Sequence, residues 1–168
     1  MVNSREEALA AVAACRYAPQ GSRSFGPLRA KYYAGFDYFE RANREVACIV
    51  MVETRGAVDR IDEIVSVPGV DAVYVGPADL SVTLGLAPVP DHSEPSFTAA
   101  LERVLDACRR HNVVPGIAGN SDTAVKRLQQ GFRLVEVASD AGLLGTGAGL
   151  ALEQVRPGAG SGAQSAYL

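Results

Sequence analysis

Four apolar runs punctuate the chain: CIVMV at 48–52, AVYV at 72–75, VVPGI at 113–117 and FRLVEVAS at 132–139. The first three show no polar alternation, the mark of parallel strands covered on both faces. Between them the pattern changes period. RGAVDRIDEIVSV places apolar residues at helical spacing, and SFTAALERVLDACRRHN does the same with Leu101, Val104, Leu105 and Cys108 on one face. Its charges Glu102, Arg103, Arg109 and Arg110 form a solvated face. The alternation of strand and helix predicts an α/β fold.

Cap residues mark further helices. Ser4 followed by Glu7 reads as a capping box opening SREEALAAVAAC, and SDTAVKRLQQG has Ser121 as N-cap and Gly131 just past its end. KYYAGFDYFERANRE contains one short helix, its Tyr32, Tyr33, Phe36, Tyr38 and Phe39 packing in a core or a subunit interface. LAPVPDHSEP is a Pro-rich loop. GAGSGAQSAYL has the composition of a flexible tail, so the domain spans 1–155 and the tail 156–168.

The stretch 47–84 is the organising unit, a strand, a helix and a strand, with Glu53 just beyond the first strand and Asp79 just beyond the second. A right-handed crossover makes the two strands parallel and brings both carboxylates to one sheet edge. That edge is where α/β folds bind ligands. Two readings stand on pattern alone. The pair holds a hard divalent cation through oxygen, or Glu53 caps the following helix while Asp79 makes a turn. At the last strand, Ser139 and Asp140 fall on the same edge, as a helix cap in preference to a third metal ligand.

Charge and composition narrow the field. At 168 residues, 48% hydrophobic and 21% charged, the chain suits one ordinary globular domain. A net charge of −3 without a basic cluster argues against nucleic acid as a partner, and no apolar run is long enough for a membrane span. Cys15, Cys48 and Cys108 lack ligand spacing and read as reduced thiols of a cytoplasmic protein.

MVETRGAVDRIDEIVSVPGVDAVYVGPADLS, with GSRSFGPLRAKYYAGFDYFERAN before it and GFRLVEVASDAGLL after it, resembles the HpcH/HpaI family of class II pyruvate-type aldolases across most of 2–155. The resemblance implies a TIM (β/α)8 barrel and a metal-dependent lyase of 2-oxo acids. It implies that Glu53 and Asp79 bind Mg²⁺ or Mn²⁺, and that the turn Gly76, Pro77, Ala78, Asp79 receives the substrate carboxylate. The cation then stabilises a pyruvate enolate as the carbon–carbon bond to an aldehyde breaks. Met51 departs from the Gln found there in some members, which bears on substrate choice. Arg23 and Arg29 line the loop before the first strand without a catalytic role, and Lys31 and Lys126 are not placed for a Schiff base. The likeness also implies a homo-oligomer and a helix over GLLGTGAGLALEQVRPG, frayed by Gly145, Gly147 and Gly149.

A complete barrel takes ~250 residues. By resemblance this chain corresponds to the C-terminal part of the barrel, Met1 and Val2 being the tail of a strand. The family's general-base histidine and substrate-binding arginine then match no residue here, and neither His92 nor His111 replaces the base. An open sheet with unpaired edges is expected to self-associate. The rival readings are a non-catalytic remnant or assembly module, and a citrate-lyase-β-like CoA lyase.

Overall fold

The computed structural model describes residues 1–156. Its strands are β1 (Ile49–Val52), β2 (Ala72–Val75), β3 (Val114–Ile117) and β4 (Leu134–Val135), all parallel and ordered β1-β2-β3-β4. Each strand pairs with the next in sequence, so helical crossovers step the chain along one arc, as in a βα barrel. Val2 adds to the free side of β1 with one bond, its N–H donating to Met51 O at 2.8 Å. The α/β expectation holds, although β4 is only two residues long.

The helices are α1 (Arg5–Cys15), α2 (Ala30–Ala34), α3 (Tyr38–Glu45), α4 (Arg55–Asp59), α5 (Ile61–Val65), α6 (Pro77–Thr83), α7 (Pro95–His111), α8 (Ser121–Gln130) and α9 (Asp140–Val155). Strand register decides which side they cover. Val50 pairs with Val73, Val52 with Val75, and Val75 in turn with Ile117. Side chains alternate across a strand, so these five share a face, and they join Ile61, Ile64, Phe97, Leu101 and Val104 in one core. Met51, Tyr74, Gly116 and Leu134 pair in the same register on the opposite, inner face.

Local chemistry explains where the helices depart from expectation. RGAVDRIDEIVSV forms two helices because Arg60 leaves helical geometry (φ −112°, ψ 20°) while its N–H still bonds Ala57 O and Val58 O. The N-cap of α8 is Asn120, not Ser121: the Asn120 side chain accepts from Asp122 N and Thr123 N, and Thr123 Oγ1 accepts from Asn120 N. Ser4 caps α1 by accepting from Glu7 N at 3.3 Å, but Glu7 accepts the Asn3 N–H instead of closing a box on Ser4. Gly131 ends α8 in left-handed geometry (φ 109°), as its position suggested.

KYYAGFDYFERANRE gives two helices, split at Gly35 (φ 95°). Its aromatics are not core residues. Tyr32, Tyr33 and Phe36 are largely exposed, and Phe39 packs against Phe25 and Tyr17. Helix α9 runs unbroken through Gly145, Gly147 and Gly149 and buries no residue. Apart from Arg156, the tail expected at 156–168 lies outside the described residues. No described helix is long and apolar enough to cross a membrane.

Candidate metal and substrate site

Glu53 follows β1 in phase with Ile49 and Met51, which directs its half-buried side chain to the inner face. It does not cap the next helix. Thr54 does, its Oγ1 accepting from Ala57 N at 3.0 Å and donating to Asn3 Oδ1 at 2.6 Å. Arg55 N donates to Thr83 Oγ1 at 3.0 Å, tying the start of α4 to the end of α6. The Glu53 carboxylate is thereby released from structural duty.

Asp79 lies in the first turn of α6, whose N-cap is Gly76 and whose first residue is Pro77. The turn reading for Asp79 thus becomes a helical position. Gly76 N donates to Val52 O at 3.2 Å, holding this turn beside the end of β1. A Cβ on Gly76 would meet Glu53 Cβ at 3.0 Å and collide with its Oε2. A side chain at position 76 would have to displace Glu53. Pro77 is buried and has no N–H, so donors in the turn come from Ala78 and Asp79, first-turn groups without intrahelical acceptors.

Neither Glu53 nor Asp79 has a hydrogen-bond or ion-pair partner among the described residues. Two unpaired carboxylates beyond the ends of the paired strands β1 and β2 offer hard oxygen donors of the kind Mg²⁺ and Mn²⁺ take. Among the described residues no group of three or more His, Cys, Asp or Glu could hold a metal, so a cation at this pair would fill its remaining positions with water or substrate.

The other candidates are placed elsewhere. Ser139 Oγ caps α9 by accepting from Gly142 N, and Asp140 Oδ1 accepts from Ala141 N, so this pair is a cap. Arg23 stacks over Tyr17, 4.6 Å from the ring centroid. Lys126 pairs with Asp91 at 2.6 Å. His92 Nε2 meets Ala87 O at 2.8 Å, and His111 lies 3.4 Å from Asp62 at the C-terminal end of α7. Burial pushes the thiols up, Cys48 to about 11 and Cys108 to about 12, so both stay protonated and serve packing.

Two arrangements escaped sequence reasoning. Tyr74 Oη donates to Glu136 Oε2 at 2.8 Å across the inner face; a charge inside the apolar run LVEVAS was its only signal. Arg127, with 1% of its side chain exposed, donates to Pro90 O and Asp91 Oδ1, both at 2.9 Å, and latches the 85–92 loop onto α8. Nothing in SDTAVKRLQQG distinguishes this arginine from a surface one.

A family model described as HpcH/HpaI aldolase/citrate lyase matches residues 1–146. A hydroxypyruvate/pyruvate aldolase of Rhizorhabdus wittichii is 39% identical over 149 residues, 88% of this chain and 59% of that protein. A 4-hydroxy-2-oxo-heptane-1,7-dioate aldolase of Escherichia coli is 38% identical over 148 residues, 86% of this chain and 56% of its own length. Among solved structures, an HpcH/HpaI aldolase/citrate lyase family protein from Burkholderia cenocepacia superposes with a TM-score of 0.79 at 33% identity, covering 93% of this chain and 63% of that one. The four strands are therefore part of a TIM-barrel arc, and the chain spans 56–59% of the length of these curated relatives.

Proposed function

Because this chain belongs to the HpcH/HpaI aldolase/citrate lyase family, we propose that it carries the metal and carboxylate-binding part of an aldolase that makes or breaks a carbon–carbon bond next to a 2-oxo acid. Glu53 and Asp79 hold Mg²⁺ or Mn²⁺, and Gly76, Pro77, Ala78 and Asp79 form the turn that receives the substrate carboxylate. The observation that supports this reading is the Glu53 side chain lying against Gly76, in space a Cβ at that position would take from it. The cation supplies Lewis acidity toward the negative charge that develops on the substrate as the bond breaks. Around it, Pro77 fixes the turn, and Ala78 and Asp79 offer N–H donors to an anion. Thr54 and Thr83 keep Glu53 and α6 in register.

The relatives' names support a 2-oxo acid and an aldehyde as partners, the first being called a hydroxypyruvate/pyruvate aldolase and the second a heptane-1,7-dioate aldolase. A homo-oligomer belongs to the same proposal, since Ile49 on the inner face and Tyr32, Tyr33 and Phe36 outside it stand in water; the cytoplasmic reading draws instead on three free cysteines. A second reading, a non-catalytic module that keeps the carboxylate pair, draws on the absence of a described histidine near that pair.

Oxaloacetate decarboxylation separates the two, because loss of CO₂ to leave a pyruvate enolate needs an electron sink but no base to begin it. Mn²⁺-dependent turnover above free metal, falling about 100-fold or more in Glu53→Ala, supports the lyase. Turnover no better than free Mn²⁺ from a folded chain supports the module, and Mn²⁺ binding by calorimetry then shows whether the pair still ligates.

A further inference from the structure

We infer that Glu136, anchored by the Tyr74 hydroxyl, forms a second subsite on the inner face, one that takes a neutral or hydroxyl-bearing tail of a 2-oxo acid and turns away a carboxylate-bearing tail. It rests on the reading that Glu53 and Asp79 hold the head of that acid.

Register supplies the geometry. Val52, Val75, Ile117 and Val135 pair across the sheet, so the next residues, Glu53, Gly76, Ala118 and Glu136, make up the following layer. Backbone bonds carry the layer across: Gly76 N donates to Val52 O at 3.2 Å, Ala118 N to Val75 O at 3.0 Å, and Glu136 N to Ile117 O at 3.2 Å. Two carboxylates thus flank a floor of one glycine and one alanine. Three interstrand steps, roughly 14 Å along the sheet, separate their backbones. Glu53 lies against Gly76, and Tyr74 of β2 reaches over β3 to donate its hydroxyl to Glu136. Strand phase puts both side chains on the same face of that floor.

Gly116 makes this reach possible. A Cβ there would meet Tyr74 Cδ2 at 3.1 Å and Leu134 Cβ at 3.2 Å, so the phenol lies across β3 only because that position is bare. Tyr74 occupies Glu136 Oε2, while Oε1 has no protein partner among the described residues. No Lys, Arg or His pairs with Glu136 among them. An ionised carboxylate only accepts hydrogen bonds. An uncompensated one therefore welcomes a hydroxyl and repels a second carboxylate, which is discrimination by an unfavourable contact.

The test is calorimetric binding of 2-oxopentanoate and 2-oxoglutarate to the full chain, with and without Mn²⁺, in wild type, Glu136→Gln and Tyr74→Phe, with circular dichroism melts to confirm folding. Wild type is expected to prefer the neutral-tailed acid about tenfold. Glu136→Gln keeps the shape, loses the charge, and brings the ratio to about one. Tyr74→Phe leaves the charge but frees it, giving a ratio in between. Mn²⁺-dependent binding with the same ratio in wild type and Glu136→Gln overturns the subsite and leaves the metal reading standing. Binding indifferent to Mn²⁺ whose ratio still collapses in Glu136→Gln does the reverse. Failure of wild type to bind either acid removes the subsite together with the site it serves.

Discussion

On the outer face of the sheet Val50, Val52, Val73, Val75 and Ile117 are all 3% exposed or less, sealed under α4, α5 and α7. One residue along the same strands, on the inner face, Ile49 is 51% and Leu134 38% exposed, and the layer above them carries Glu53 and Glu136. The same backbone thus supports two surfaces with different tasks. The outer one is apolar and closed, where every methylene adds to stability. The inner one keeps carboxylates without salt-bridge partners, which a stability-optimised surface would pair or replace. Stability and the proposed chemistry are separated by a single step of strand phase.

The comparison is broken most directly in the core. Phe97 of α7 is 1% exposed, and Phe97→Ala is expected to cost about 3–5 kcal/mol in urea denaturation. Met51→Ala on the inner face is expected to cost under ~1 kcal/mol, because Met51 is already partly in water. Equal losses for the two would mean that the inner face is buried in solution by something else, and the division between the faces would fail.

Gly76 joins the faces and tests them together. Gly76→Ala sets a methyl group against Glu53, so overpacking is expected to cost about 1–3 kcal/mol and Mn²⁺ affinity to fall about tenfold as Glu53 is displaced. Gly26 has no neighbour within 4 Å of a built Cβ, and Gly26→Ala is the control expected to change neither quantity. Unaltered Mn²⁺ binding in Gly76→Ala would detach Glu53 from the proposed metal site.

What the sequence made legible follows from the range of the interactions. Runs such as CIVMV and AVYV are read as strands from composition alone, and they placed β1 and β2, although the inner face of β1 stands open where the unbroken apolar run suggested cover on both faces. Ser139 was readable as a cap because a cap is settled within a few residues. Asn120 was missed for Ser121 because both residue types cap well, and the choice turns on Thr123 returning a bond. Glu53 and Asp79 were singled out through wording shared with a family. Glu136 was not, since its meaning depends on Tyr74, sixty-two residues away, and on the bare Gly116 between them. The break at Arg60 and the exposure of Tyr32 and Phe36 likewise depend on packing that periodicity does not encode.

The smallest effect concerns the rim joining the two faces, where charge rather than apolar burial fastens the 85–92 loop. Burial pushes the Asp91 carboxyl up, but the hydrogen bond from Lys126 and the charge of Arg127 outweigh it and hold the group below its usual value of 3.8. A depressed folded-state value means that Asp91 contributes stability fully above that usual value, and the contribution is lost as pH falls through the folded-state value. Arg127 is the costly partner, since its side chain is 1% exposed and its Nε has no acceptor. Asp91 keeps 31% of its side chain in water, and solvent screening limits the loss in Asp91→Asn to about 1 kcal/mol at pH 7. Wild type and Asp91→Asn should then converge in urea stability as the pH drops below 3.8. A difference that stays constant across that range would assign the loop's attachment to the bond from Arg127 to the neutral acceptor Pro90 O, and the rim would hold independently of the Asp91 charge.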